Sequence, residues 1–371
     1  MASFGGVLRA LNPFKSFKQS LFPSYLGVDI GTTSIKVVEA RQGKQLPEVV
    51  NYAFLEAGDY LGRSNSALQT SSLKLFDKEI VSLLQGVVRK MRPRTNEVIA
   101  SLPIFSVFVT VLNFPDMSPD ELEKTIAFQA GQYIPIPISE VALDWLIVGE
   151  FEDERGYKQK QILLISVPQE QIQKYQEIFK AAGLHLKVLE IESLSIARAL
   201  VGGDPTATII VDIGSRSTNI SFVEGGKLRF SSQSDFAGAS LTQALVSSLN
   251  INPRRAEELK REKGVVASGA DYELSTIMVP FLDVIINEVK KAGFNYKNQF
   301  PAAANIERVL LSGGGANLLG IEKYFTRELG IPALKAAPFT RFEYPPIIEP
   351  VIGELNPVMS VALGLALREF I

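Results

Sequence analysis

The sequence predicts an α/β fold of two related lobes. The main observation is a repeated strand, tight turn and strand. Leu26-Gly27-Val28-Asp29-Ile30-Gly31 turns through Thr32-Thr33-Ser34 into Ile35-Lys36-Val37-Val38-Glu39, and Ile209-Ile210-Val211-Asp212-Ile213-Gly214 turns through Ser215-Arg216-Ser217 into Thr218-Asn219-Ile220-Ser221-Phe222-Val223. Two apolar runs around a Gly, Thr and Ser turn read as a β-hairpin. Helical apolar periodicity between the strands gives the α part, and 371 residues are enough for more than one core.

Composition limits the function classes. Near balance of 38 basic and 40 acidic side chains, net charge −2, argues against nucleic-acid binding. With no cysteine, disulfides and thiolate metal sites are excluded, and a reducing compartment is expected. His185, the single histidine, lies between a helix end and a strand start and reads as having a plain structural or surface role. No uncharged apolar run approaches the roughly 18–20 residues of a membrane span, so a soluble chain is expected. Residues 1–23 read as a flexible or interfacial leader: Arg9, Asn12, Lys15 and Lys18 interrupt any signal-like apolar region.

Along the chain, 58–72 is Ser-, Gly- and Asn-rich and reads as a loop, after which Asp77 opens a helix with the stripe Ile80, Val81, Leu84, Val87, Val88 and Met91. A strand is expected at 97–102. Residues 106–167 read as a separate β-rich unit with one helix, started by Ser118, Pro119 and Glu121 and ended before Pro135. Strands at 141–150 and 160–167 flank a charged hairpin. A helix at 169–182, a strand at 186–191 and a helix at 192–202 lead to the second hairpin. Helices then dominate 237–293, one capped by Asn252 and stopped at Gly264. Last come the strand 309–312, the loop Gly313-Gly314-Gly315-Ala316-Asn317, a helix, a Pro-rich stretch and a final helix at 357–369.

The repeated hairpin carries the chemistry. Amides in a Gly-containing turn cradle phosphate oxygens, small hydroxyl side chains add donors, and an aspartate at the strand end suits Mg²⁺, which keeps much of its water shell. Two such hairpins face to face would clamp a polyphosphate, with Lys36 as a point charge. The Gly-rich loop after the 309–312 strand lets a flat ring approach the backbone. Neither a P-loop nor a dinucleotide-binding Gly motif is present.

The ordered set of hairpin 26–39, helix 192–202, hairpin 209–223, loop 312–317 and last helix resembles the actin, sugar-kinase and heat-shock chaperone superfamily. Within it the chain is similar to the PilM family of type IV pilus assembly, with FtsA as a relative. The residues that carry this are Leu26 to Gly31, Gln132-Tyr133-Ile134-Pro135 with Asp144, Leu311-Ser312-Gly313-Gly314-Gly315-Ala316, and Val361 to Arg368. The resemblance implies a two-lobed actin-like ATPase (ribonuclease H-like) fold with an FtsA-type inserted subdomain. The first lobe would span 24–105 and 168–203, the insert 106–167, and the second lobe 204–371, with a helical subdomain at about 246–302.

Carried over residue by residue, Asp29 and Asp212 are expected at Mg²⁺. Gly31, Thr32, Thr33, Lys36, Gly214 and Ser215 are expected on the phosphates of ATP, Gly313, Gly314 and Gly315 against the nucleoside, and Glu288 and Lys291 on ribose and base. Glu192 would position water and, with Asp212, form the catalytic pair. Ser195 falls where actin has a catalytic Gln, and Arg216 replaces a small residue and either crowds or compensates the phosphates. Nucleotide binding with slow or absent turnover is expected. The implied role is a cytoplasmic adaptor at the inner face of the cytoplasmic membrane. It would dock on the N-terminal tail of a PilN-like membrane protein through residues near 106–145, with Trp145 either in that groove or in the core. The membrane would be reached through that partner, and other pilus components and a homo-oligomer are further expected contacts. A small-molecule kinase and an FtsA-like division scaffold remain open as alternatives.

Overall fold

The structure, a computed structural model, describes residues 23–56, 77–265 and 272–371. Residues 1–22 of the leader read at 1–23, and the loop read at 58–72, lie outside the described residues.

Three sheets organise the described residues. In the first, β1 (Ser24–Ile30), β2 (Ser34–Arg41) and β3 (Glu48–Glu56) are antiparallel, while β4 (Glu97–Leu102) and β8 (His185–Ile191) run parallel beside β1, in the order β3-β2-β1-β4-β8. In the second, β9 (Thr208–Ile213), β10 (Thr218–Glu224), β11 (Lys227–Ser234), β12 (Arg308–Ser312) and β13 (Ala333–Lys335) take the matching order β11-β10-β9-β12-β13. The hairpin repeat is therefore a repeat of whole sheets. The central strands are buried on both faces, which explains why successive and not only alternate residues are buried: Leu26 to Ile30 in β1, Ile209, Ile210 and Val211 in β9. The sequence pattern missed β3, β11 and β13. Two are partly exposed edge strands with mixed composition, as in the Ser231-Ser232-Gln233-Ser234 end of β11, and the third has three residues.

The third sheet, β5 (Phe108–Pro115), β7 (Lys158–Pro168) and β6 (Val141–Glu152), has the order β5-β7-β6. Its strand β7 alternates between two cores: Leu163, Ile165 and Val167 join the main one, while Ile162 and Leu164 pack under α2 (Pro119–Gln129). The start of α2 has the expected capping box, in which Ser118 accepts from the Glu121 amide and Glu121 accepts from the Ser118 amide. Trp145 is half-buried against this small core.

α1 (Asp77–Met91) and α3 (Gln169–Ala181) cover the first sheet, and α4 (Glu192–Leu200) follows β8. α5 (Gly238–Leu249), α6 (Pro253–Lys263) and α7 (Tyr272–Gln299) follow the second hairpin, and α8 (Ile321–Leu329) follows the Gly-rich loop. The predicted ends of α6 hold: Asn252 accepts from the Arg255 amide at 2.9 Å, and Gly264 leaves the helix at φ 61°.

The final helix expected at 357–369 is instead two helices, α9 (Ile352–Val358) and α10 (Ser360–Leu367), bent by 90° at Met359. The carbonyl of Pro357 explains the break. It accepts from the Gly313 amide at 2.9 Å, the Ser312 hydroxyl at 3.0 Å and the Ser360 hydroxyl at 3.1 Å, so the helical ladder yields to the loop after β12. Every residue of α10 is buried. Among the described residues no single helix is long and apolar enough to cross a membrane.

Candidate functional site

The two hairpin turns close by the same bond: the Gly31 amide donates to the Ser34 carbonyl at 2.9 Å, and the Gly214 amide to the Ser217 carbonyl at 3.0 Å. Both turns border one cleft of about 1810 Å³ between the lobes. It is lined by Asp29, Gly31, Thr32, Thr33 and Lys36 from the first hairpin, by Asp212, Gly214 and Ser215 from the second, by Glu192 from α4, and by Gly313, Gly314 and Gly315. The sequence repeat thus folds into a pair of turns facing a common space.

Strand register sets the polar floor. Asp29 stands opposite Lys36 in the β1–β2 ladder, and the Lys36 ammonium donates to Asp29 Oδ2 at 2.8 Å while the Ser101 hydroxyl donates to Oδ1 at 3.0 Å. In the second hairpin Asp212 stands opposite Asn219. Asn219 donates to the Ser193 hydroxyl at 2.8 Å and so ties β10 to the start of α4, the helix that also carries Glu192.

Burial and like charge act together here. Burial pushes the Asp212 carboxyl up to about 6, Lys36 pulling against it and Asp29 adding to it. Burial likewise lifts Glu192 well above the usual carboxylate range, with Asp29 and Asp212 adding to the shift. Burial alone would depress the Lys36 ammonium, but Asp29 beside it, helped by Asp212 and Glu192, holds it above its ordinary value. The floor is a set of carboxylates short of positive charge, which suits a divalent cation. Among the described residues no cluster of three or more side chains that could hold a metal ion occurs.

The glycine loop fits close to β9. Gly313 has φ 78°, and a Cβ there would lie 2.8 Å from Asp212 Oδ1; a Cβ on Gly315 would lie 2.3 Å from Ile213 Cγ2. Gly314 has nothing within 4 Å of an added Cβ and opens toward the cleft. Two of these glycines let the loop seat on the strand, and the middle one leaves its backbone accessible to a flat group.

Two expectations need correction. Glu288 and Lys291 do not line the cleft; they pair with each other at 3.5 Å on α7. The same Glu-x-x-Lys spacing occurs on α6, and there it does border the cleft. Lys260 donates to Glu257 at 2.6 Å, to the Thr242 hydroxyl at 3.0 Å and to the Gly238 carbonyl at 3.1 Å. α5 delivers this group, since its Gly238 and Ala239 amides donate to the carbonyls of Gly214 and Ser215. Arg261, one position further, pairs with Glu56 at the end of β3, so α6 reaches across to the first lobe. Ser195 faces the interior rather than the cleft, fully buried with its hydroxyl donating to the Glu192 carbonyl. His185 is an exposed partner of Glu97.

With this geometry the family can be assigned. The family model described as type IV pilus assembly protein PilM matches residues 27–370. The chain belongs to the PilM family. The solved PilM-PilN type IV pilus biogenesis complex is similar to it at TM-score 0.77 and 24% identity, over 93% of this chain and 98% of that one. Ethanolamine utilization protein EutJ from Carboxydothermus hydrogenoformans is similar at TM-score 0.53 and 18% identity, over 96% of this chain and 91% of that one. MreB5 of Spiroplasma citri bound to ADP is similar at TM-score 0.53 and 15% identity, over 94% and 96%. At these identities the likeness is one of fold. The PilM-type chain has the two-lobed actin-like ATPase fold read from its hairpins.

Proposed function

We propose that this PilM-family chain binds ATP with Mg²⁺ in the cleft and acts as an adaptor of pilus assembly on the cytoplasmic side of the inner membrane, docking on the N-terminal tail of a PilN-like membrane protein. The observation that carries the nucleotide reading is the pair of identically closed turns facing one cleft, each with an aspartate at its strand end. The residues present fit the group. Turn amides and hydroxyls of Gly31, Thr32, Thr33, Gly214 and Ser215, with Lys36, would hold phosphate oxygens. Asp29 and Asp212 would hold the cation through its water, and Gly313, Gly314 and Gly315 would lie against the nucleoside. Bound Mg²⁺ supplies charge neutralisation between phosphates and carboxylates.

Binding with slow or absent hydrolysis is the expected behaviour. Glu192 stands on the cleft wall where it would position water, while Ser195 points into the core and offers no second side chain for that task. Nucleotide would then act by holding the lobes together, which requires only different affinities for open and closed states.

The docking reading is supported by the likeness to the PilM-PilN complex across almost the whole chain. The three-stranded unit within 106–167, with α2 and exposed Phe128 and Tyr133, is the part of the first lobe we assign to the tail. The test is fluorescence anisotropy of a labelled N-terminal PilN-like peptide against the protein with ATP and Mg²⁺ or with neither. Tighter binding in the loaded state is expected. Equal affinity in both states removes the coupling, and no binding in either removes the adaptor role.

A further inference from the structure

Four cations stand together where α1 ends. Arg89, Lys90, Arg92 and Arg94 fill four of six consecutive positions, with no acid between Glu79 and Glu97. All four are exposed, and among the described residues no ion pair or side-chain hydrogen bond engages any of them. A helix C-terminus favours cations, which accounts for Arg89 and Lys90 in the last turn. It does not account for Arg92 and Arg94, which lie beyond the helix.

The first sheet sets what lies beside them. β1 starts at Ser24, opposite Arg41 at the end of β2, and runs parallel to β4. Glu39 Oε1 accepts from the Ser24 hydroxyl at 3.2 Å and from the Arg94 amide at 2.9 Å, so the chain joins the sheet beside these cations. The turn between β2 and β3 comes to the same end with exposed Lys44 and Leu46. Tyr25 draws the C-terminus there, its ring 5.8 Å from that of Phe370, and Ile371 follows, 71% exposed. Acids at this end are engaged: Glu48 with Arg41, Glu97 with His185, Glu369 with Lys187, and Glu343 with the Gln45 amide. The face is left net positive, with apolar side chains at its margins.

Residues 1–22, which join this end at Pro23, add Arg9, Lys15 and Lys18 and no acid, interleaved with Phe4, Leu8, Leu11, Phe14, Phe17 and Phe22. Cations mixed with apolar side chains match an anionic lipid surface, where headgroups take the charge and the acyl boundary takes the apolar groups. A nucleic acid would use the cations alone, and the near balance of charge over the whole chain disfavours it. We propose that this end of the first sheet faces the membrane and rests on anionic phospholipid headgroups through Arg89, Lys90, Arg92 and Arg94, with residues 1–22 as a second contact. The chain then reaches the membrane by itself as well as through the partner proposed above. Neither element alone holds firmly, because stable anchoring takes two signals.

The test is co-sedimentation of the full chain with vesicles of equal parts phosphatidylcholine and phosphatidylglycerol, and with phosphatidylcholine alone. Neither nucleotide nor partner peptide is present, so the outcome is independent of both readings above. Wild type is expected on the anionic vesicles only, and should be released by about 1 M salt, which screens exposed charge. The variant Arg89→Gln/Lys90→Gln/Arg92→Gln/Arg94→Gln should lose about a hundredfold or more in partitioning. Arg92→Gln and Arg94→Gln singly should lose about fivefold each, and they carry the test if circular dichroism melts show the fourfold variant unfolded. Lys227→Gln/Lys290→Gln/Lys291→Gln/Lys323→Gln removes four exposed lysines of the second lobe and should stay within about twofold of wild type. Phe14→Ser/Phe17→Ser should weaken binding and keep the preference for anionic vesicles. A folded fourfold variant that binds as wild type does overturns the proposal, as does an equal loss in the second-lobe control. Equal binding to both kinds of vesicle overturns it too. So does wild type that ignores vesicles, including one that instead takes up a labelled single-stranded RNA through the same four residues.

Discussion

Lys36 is the register partner of Asp29 across the β1–β2 ladder, and their side chains meet at 2.8 Å on the floor of the cleft. The pair stands among other carboxylates, so each member depends on the other. Lys36→Met leaves Asp29, only 3% exposed, with a buried charge and no cation beside it. The expected loss is about 3–5 kcal/mol in denaturant unfolding. Asp29→Asn combined with Lys36→Met should recover most of that stability. Losses that simply add in the double variant would show that the two side chains act independently.

Close approach of α10 depends on two glycines. A Cβ on Gly364 would lie 1.9 Å from the Ser195 carbonyl oxygen, and one on Gly27 would lie 2.1 Å from that of Ala362. Both obstacles are backbone, so relief requires α10 to move away from α4 and β1. Gly364→Ala should destabilise the chain by about 1–3 kcal/mol or more, as overpacking does. Gly314→Ala, with nothing within 4 Å of the added carbon, is the matched control and should leave the melting temperature within a degree or so of wild type. A Gly364→Ala variant as stable as that control would contradict the packing described.

Asp144 gives a pH dependence. It is buried on β6 with Oδ2 lacking a partner, and burial pushes its carboxyl up to about 7 against the pull of the Trp145 amide and Arg368. The folded state therefore holds a proton that the unfolded chain, with a pKa near 3.9, gives up. This contribution to stability is full below about pH 4 and is lost as pH rises to about 7, with a total on the order of a few kcal/mol. Asp144→Asn should match wild type near pH 4 in unfolding experiments and exceed it at pH 8. A constant offset between the two proteins across that range would place the titration elsewhere.

Both hairpins, the glycine loop and the caps of α2 and α6 were legible because each is a local device written in consecutive residues. Distance in the chain limits the rest. Glu288 with Lys291 and Glu257 with Lys260 have the same spacing, which defines a helix face and nothing more. What brings the second pair to the cleft is α5, whose first amides bond to the turn at Gly214 and Ser215. The break at Met359 follows the same logic, since the Pro357 carbonyl is claimed by Ser312 from 45 positions away. β11 was hidden because its three serines and one glutamine carry no strand signal, although Ser231 donates to Asn219 at 3.0 Å and helps fasten the second hairpin.

In the function proposed above, two distant aspartate turns grip one polyphosphate. Titration of ATP with Mg²⁺ into wild type and into the Asp29→Ala/Asp212→Ala variant, each shown to be folded by its melting curve, tests this directly. Saturable binding at one site is expected in wild type, weakened when Mg²⁺ is chelated and lost in the double variant. Equal ATP affinity in both proteins, or no uptake by folded wild type, would contradict it.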